Sequence, residues 1–139
     1  MTTGCVFCKI LSSELAAHFV ERTPTHAVFL DKSPLFRGHC LVVPARHLDT
    51  ISDVPPDQVG SLFGVVQRVA RAVERGLGAD GTLVAVNNRV SQSVPHLHVH
   101  VIPRHKKDGL RGFFWPRQKY ASDDEMADFA RRIASGLEG

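Results

Sequence analysis

Residues 96–102 run His-Leu-His-Val-His-Val-Ile, and this strict alternation constrains the chain more than any other stretch. Successive side chains of an extended strand point to opposite faces. His96, His98 and His100 therefore stand in a row roughly 7 Å apart, while Leu97, Val99 and Val101 bury against whatever backs the sheet. The apolar half of the pattern predicts a strand over His96 to Ile102 packed on a core. The other half lines one face with the side chain that serves as nucleophile, proton carrier or metal ligand near neutral pH. Two chemical readings stay open on the residues alone. A metal centre needs nitrogens converging at about 2 Å on one ion, and side chains in line along a strand diverge, so the row supplies two adjacent ligands more easily than three. A nucleophilic middle imidazole, His98, whose neighbours fix its tautomer and proton, suits the linear arrangement better.

With 139 residues the chain is expected to form one domain over residues 1–139 with a single core. A metal-dependent (β/α)8 hydrolase, which also carries paired histidines on a strand, needs about 250 residues and is excluded. The net charge of +3 gives no general nucleic-acid coat. Charge is concentrated instead: Arg104, Lys106, Lys107, Arg111, Arg117 and Lys119 stand against the single acid Asp108, either as a solvated loop or as an electrostatic funnel for a phosphorylated ligand. No apolar stretch approaches the ~18 residues of a membrane span and no signal peptide opens the chain, so a cytoplasmic protein away from membranes is expected. Three cysteines argue against a disulfide framework. Cys5-Val-Phe-Cys8 is half of a metal site, a redox pair or two coincidental thiols, and Cys40 is a small core residue.

No internal repeat or linker interrupts the chain. A short helix is expected over Phe7 to Leu15, with strands over His18 to Glu21, Ala27 to Leu30 and His39 to Val43. The last two are joined by a turn punctuated by Ser33-Pro34 and Gly38. Asp53 is expected to cap a helix with Pro55 and Pro56 in its first turn. Val59, Leu62, Phe63, Val66, Val69, Ala70 and Val73 form its buried stripe, and Gly76 and Gly78 stop it. Thr82 to Val86 is a fourth strand and His96 to Ile102 a fifth, and Ser122 to Glu125 opens a terminal helix with a capping-box pattern. The order implies an α+β domain: an antiparallel sheet of about five strands with its helices on one face. The opposite face, left open, carries the histidines, and the turn from Arg89 to Val94 brings Gln92 and Ser93 beside them.

Gln92-Ser93-Val-Pro-His96-Leu-His98-Val-His100-Val-Ile-Pro-Arg104 resembles the signature of the histidine triad (HIT) superfamily, in particular its Hint-like nucleotidyl hydrolases and transferases. Cys5-Val-Phe-Cys8-Lys-Ile10 resembles that family's opening, Phe29-Leu-Asp31-Lys-Ser-Pro34 its ribose-contacting strand and turn, and Gly38-His39-Cys-Leu-Val-Val-Pro44-Ala-Arg-His47 its next strand. The resemblance is nearly continuous from residue 5 to about 104 and implies a HIT-like fold, with the basic and aromatic segment and helix of residues 104–137 following it.

The resemblance implies chemistry at the α-phosphate of nucleoside phosphoramidates, dinucleoside polyphosphates or related adenylated compounds, through a covalent nucleotidyl-histidine. His98 is then the nucleophile, with His96 and His100 counted beside it as catalytic. His100 holds the phosphate or its proton, and Ser93 bonds the bridging or leaving atom. Asn87, Gln92 and backbone amides of the turn lie at the phosphate, His39 lies near the site, Asp31 accepts from ribose hydroxyls, and Phe7, Ile10, Phe29 and Leu30 enclose a purine base. In zinc-containing relatives two cysteines join two histidines, which implies a structural Zn2+ held by Cys5, Cys8, His47 and His96, with no metal in the chemical step. A homodimer is implied as well. A nucleotide-binding regulator with little turnover and a DNA-adenylate processor are alternatives within the same resemblance; the modest charge counts against nucleic acid. Two features depart from the family: Arg89-Val90-Ser91 stands where its loop is glycine-rich, and residues 112–117 add aromatic and basic side chains.

Overall fold

A computed structural model of the chain describes residues 4–111 and 116–137. Phe113, Phe114 and Trp115, singled out above, lie outside the described residues. The chain divides into two compact units, Met1–Asp108 and Gly109–Gly139.

The first unit holds five strands and two helices: α1 (Val6–Leu11), β1 (Phe19–Arg22), β2 (His26–Leu30), β3 (Cys40–Pro44), α2 (Pro56–Leu77), β4 (Gly81–Ala85) and β5 (Val99–Arg104). The strands form one sheet in the order β1-β2-β3-β5-β4, and every neighbouring pair is antiparallel. α2 contains Gly60, Gly64 and Gly76, each costing about 1 kcal/mol of helix propensity relative to alanine. Packing outweighs that cost, because Leu62, Val65, Val66, Val69 and Val73 are buried against the sheet at roughly 1.5–3 kcal/mol each. Gly78, in the left-handed region at φ +64°, ends the helix. α2 starts later than its expected cap. Pro55 and Pro56 force the preceding backbone to stay extended, so Asp53 instead closes a single 3-10 turn over Ile51–Asp53 and accepts hydrogen bonds from the Thr50 amide and hydroxyl at 3.0 and 2.9 Å.

The sheet is covered on both faces, not on one. Val28, Cys40, Val42, Leu97, Val99 and Val101 face α2. Ala27, Phe29, Leu41 and Val43 face the other way and pack with Cys5, Phe7, Cys8 and Ile10 of the α1 segment. β2 and β3 are continuous apolar runs rather than alternating ones, the pattern of strands buried on both sides. Glu21 of β1 takes both guanidinium nitrogens of Arg68 on α2, at 3.1 and 2.9 Å, and the ring of His26 on β2. Arg68 and His26 together hold its carboxyl down at about 2.

The histidine strand is also shorter than its alternation implies, since β5 begins at Val99 and only His100 of the three lies in the ladder. Val42 pairs with Val99, and continuing that register would set Leu97 opposite Pro44, which has no amide hydrogen to give. The alternation of faces nevertheless persists through residues 96–98, with Leu97 on the α2 side.

In the second unit, α3 (Asp123–Gly136) opens as its sequence implies, with the Ser122 hydroxyl accepting from the Glu125 amide at 3.1 Å. The reciprocal bond comes one residue earlier, from the Ala121 amide to the Glu125 carboxylate. Among the described residues, no helix is long and apolar enough to cross a membrane.

Candidate active site and metal centre

The triad is divided between two jobs by its hydrogen bonds. A backbone carbonyl only accepts, so a ring nitrogen bonded to one must carry the proton, which fixes the neutral tautomer. His98 Nδ1 lies 2.8 Å from the carbonyl of His96; Nδ1 donates there, and Nε2 keeps the free lone pair. His98 is 4% exposed, and the edge of Phe7 packs on it with ring centroids 4.9 Å apart at 83°.

The same logic runs through His39 and His100 from the opposite direction. The Leu35 amide donates to His39 Nδ1 at 3.1 Å. His39 Nε2 must then be the protonated nitrogen, and it meets His100 Nδ1 at 2.9 Å. His100 accepts at Nδ1 and so carries its own proton on Nε2. Burial, together with the neighbouring His98 and His39, pushes His100 down to about 4. Burial likewise pushes His39 down, opposed by Asp31, whose Oδ2 is 3.8 Å from His39 Nε2. The result is a neutral acceptor-donor chain presenting a donor at His100 beside a nucleophilic nitrogen at His98.

Gly38 places His39. Its φ of +96° disfavours any side chain, and an added Cβ would sit 2.5 Å from Leu77 Cδ1 and 3.1 Å from Pro103 Cγ. His98 and His100 line a cavity of about 700 Å³ together with Phe7, Ile10, Phe29, Leu30, Asp31 and Ser93. Asp31 is anchored there by the Ser33 amide on Oδ1 at 2.9 Å. Asn87 and Gln92 are not among the lining residues. Gln92 braces the loop, giving its amide to the Asp49 carbonyl at 2.6 Å and accepting from the Arg89 amide at 2.8 Å. Asn88, next to Asn87, accepts from the Ile51 amide at 2.9 Å. The glycine-like geometry of this loop survives without glycine: Arg89 and Ser91 hold φ of +70° and +61°.

His96, expected among the catalytic residues as well as at the metal, is absent from the cavity lining and turns instead, held by the Pro44 carbonyl, into a cluster with Cys5, Cys8 and His47, whose four ligand atoms lie within 4.8 Å of one another. His96 Nε2 donates to the Pro44 carbonyl at 3.0 Å, and His47 Nε2 to the Asp49 carboxylate at 3.0 Å. Both Nδ1 lone pairs are thereby turned inward, 3.3 Å from the Cys8 sulfur for His47 and 3.5 and 3.6 Å from the two sulfurs for His96. Such outer acceptors are what metal-bound imidazoles use to fix orientation, and two thiols with two imidazoles make a closed tetrahedral donor set. Burial pushes the Cys5 thiol up, so a bound cation is what would favour its thiolate. Asp31, His39 and His100 also bring ligand atoms within 4.8 Å, but His39 Nε2 is already protonated there, which leaves that group short of a lone pair.

A family model for the HIT domain matches residues 12–107. The chain belongs to the HIT family. A HIT-like protein of Mycobacterium tuberculosis is 37% identical over 108 residues, 76% of this chain and 75% of that one. The adenosine 5'-monophosphoramidase of Saccharomyces cerevisiae is 31% identical over 143 residues, 100% of this chain and 86% of that one. Among solved structures, a zinc-bound histidine triad protein from Mycobacterium smegmatis is 34% identical, superposes with a TM-score of 0.73, and covers 95% of this chain and 97% of its own.

Five of the residues expected at the substrate, Asp31, His39, Ser93, His98 and His100, therefore gather at one place, and the four expected at the metal gather at another. Reasoning from sequence missed the Leu35 amide, the Pro44 carbonyl and the Asp49 carboxylate, each of which fixes a tautomer. Only Asp49, two residues after His47, left a signal in the side chains.

Proposed function

We propose that this HIT protein is a nucleotidyl hydrolase acting at the α-phosphate of purine nucleotides. The observation that carries the reading is the bond from His98 Nδ1 to the His96 carbonyl, which leaves Nε2 as the basic nitrogen of a ring lining the cavity. His98 Nε2 attacks the α-phosphorus, the bond from phosphorus to the leaving group breaks, and the departing amine or oxyanion takes the hydroxyl proton of Ser93. Water then attacks phosphorus and returns a proton to Ser93, the phosphorus–nitrogen bond breaks with its electron pair going back to His98 Nε2, and the nucleoside monophosphate leaves. Positive charge on the nucleotidylated imidazole is stabilised by the His96 carbonyl, and His100 Nε2–H donates to a nonbridging oxygen. Asp31 Oδ2 accepts from the ribose hydroxyls, while Phe7, Ile10, Phe29 and Leu30 enclose the base. Asn87 and the amides of its loop serve the phosphate from outside the lining seen here, and Gln92 acts by holding that loop.

We infer also that Cys5, Cys8, His47 and His96 hold a structural zinc. Bound there, the ion supplies a clamp between the α1 segment and the triad, with no part in the chemical step. A homodimer through α2 and the edge strand β4 completes the reading. It is supported by the exposed apolar Val84 and Phe63 on those elements and is checked by sedimentation.

The test is turnover on a panel of adenosine and guanosine phosphoramidates, dinucleoside polyphosphates and adenylated DNA. Cleavage at the α-phosphate of a small nucleotide is expected. Tight binding without turnover of any substrate would instead make the protein a regulator, and salt-dependent activity on DNA alone would make it a DNA-end processor.

A further inference from the structure

The permanent charges lining the nucleotide cavity are two cations and one carboxylate. Among its lining residues they are Asp31, Lys32 and Arg37, while His39 and His100 are held neutral near pH 7 by burial. The order of groups is fixed by contacts: the His98 and His100 rings are 4.9 Å apart, the His100 and His39 rings 5.1 Å, and His39 Nε2 is 3.8 Å from Asp31 Oδ2. Lys32 follows Asp31 directly in the chain, and Arg37 lines the same cavity. Neither cation makes an ion pair among the described residues. Asp31 supplies one negative charge against these two cations, so the permanent charges of the lining sum to a net positive one.

We propose that Lys32 and Arg37 form a subsite for a second anionic group on the nucleotide, a phosphate carried by a ribose hydroxyl. This rests on the placement of the ribose at Asp31 under the proposed function. A ribose whose diol faces Asp31 has its 2' and 3' oxygens in the cavity that Lys32 and Arg37 also line. A phosphate on either oxygen then relieves the repulsion between two like charges lining one cavity and gains charge-assisted hydrogen bonds from both. The protein accordingly takes nucleotides bearing a 5' reacting phosphoryl group together with a 2'- or 3'-phosphate in preference to the simple 5'-nucleotide.

Calorimetry with 5'-AMP, adenosine 3',5'-bisphosphate, adenosine 2',5'-bisphosphate and 5'-ADP tests this on the full chain. One of the ribose-phosphorylated nucleotides is expected to bind about tenfold tighter than 5'-AMP at low salt, and the better of the two identifies the hydroxyl. The ratio should shrink as salt rises, fall in Lys32→Ala and in Arg37→Ala, and vanish in the double variant. The salt series on the unaltered protein keeps the test valid should a variant fold poorly. Equal or weaker binding of both bisphosphates, with 5'-AMP still bound, overturns the subsite and leaves the nucleotidyl reading standing. An equal gain for 5'-ADP, lost in the same double variant, places the cations along the polyphosphate instead and overturns the ribose assignment. Failure of every nucleotide to bind overturns both readings together.

Discussion

Replacing His39 with leucine removes a side chain that is 5% exposed and uses both ring nitrogens. The substitution strands the Leu35 amide and His100 Nδ1, each bonded to His39 at 3.1 and 2.9 Å. An unsatisfied buried polar group costs about 1–3 kcal/mol. Leu35 is exposed, so water reaches its amide and most of the loss falls on His100; about 2 kcal/mol of destabilisation is expected in a urea titration. The larger effect is on the proton. Without the His39 donor, His100 can carry its hydrogen on Nδ1 and lose the Nε2–H that faces the phosphate. The rate should fall about 100-fold, the lower end of the range for an acid–base group. Ring 15N spectroscopy reads the tautomer without substrate: His100 is Nε2–H in the parent and mixed in His39→Leu. His39→Gln, which keeps a donor, should restore both the tautomer and most of the rate. If His39→Leu keeps His100 wholly in the Nε2–H form and kcat/KM within twofold of the parent, the relay is wrong.

Metal analysis of reduced, chelator-free protein should give about one zinc per chain, and Asp49→Ala, by releasing His47 Nε2, should weaken zinc about 10- to 100-fold against a competing chelator; unchanged affinity would contradict the outer-sphere role of Asp49. His100, held at about 4 when folded against about 6.5 for a free histidine, leaves the unfolded chain binding the extra proton between those values. Stability should therefore be unaffected above pH 6.5 and fall as pH drops towards 4, by at most about 3 kcal/mol and by less because the ring is only partly buried. His100→Asn should lose this part of the slope in urea titrations, and an identical slope in both proteins would refute the assignment. Arg89→Gly and Ser91→Gly should each raise stability by about 0.5–1 kcal/mol, since relief of a left-handed non-glycine exceeds the added entropy of the unfolded chain; thermal melts showing a loss would place a stabilising contact in those side chains.

The elements that were legible in the sequence are those whose signal is carried by side chains in periodic order. Most of the stripe of α2 and the faces of residues 96–102 follow from spacing alone, although Phe63, expected in that stripe, is exposed and Val65 is buried instead; the succession of five strands along the chain follows from their punctuation. What stayed hidden is carried by the backbone. Nothing in the letters His96 to His100 says that the ladder stops at Val99; that depends on which residue of β3 comes opposite, and it is Pro44. The buried second face is legible in the unbroken apolar runs of β2 and β3, while the alternation of the histidine segment points to an open one. At the site, alternation alone marked the histidine row, whereas both clusters and the division of the imidazoles between them came from the resemblance to the HIT family; the groups that hold each ring stayed hidden. His96 and His98 are two residues apart, and one faces thiols while the other faces the cavity. Their roles are set by the carbonyls of Pro44 and His96 itself, which are invisible to any reading of side chains. Gln92 shows the reverse error: position beside the triad suggested a substrate contact, whereas both ends of its amide are occupied in bracing the loop.

The central claim is that His98 Nε2 becomes covalently nucleotidylated, and rapid-quench mass spectrometry of the protein mixed with a cleaved adenosine 5'-phosphoramidate tests it most directly. The account predicts a transient adduct of one adenylyl group per chain, mapped to His98 and unstable in acid as a phosphorus–nitrogen bond should be. It should be absent from His98→Asn, whose turnover falls by several orders of magnitude. Steady turnover with no adduct at any quench time, or an adduct on a residue other than His98, would contradict it.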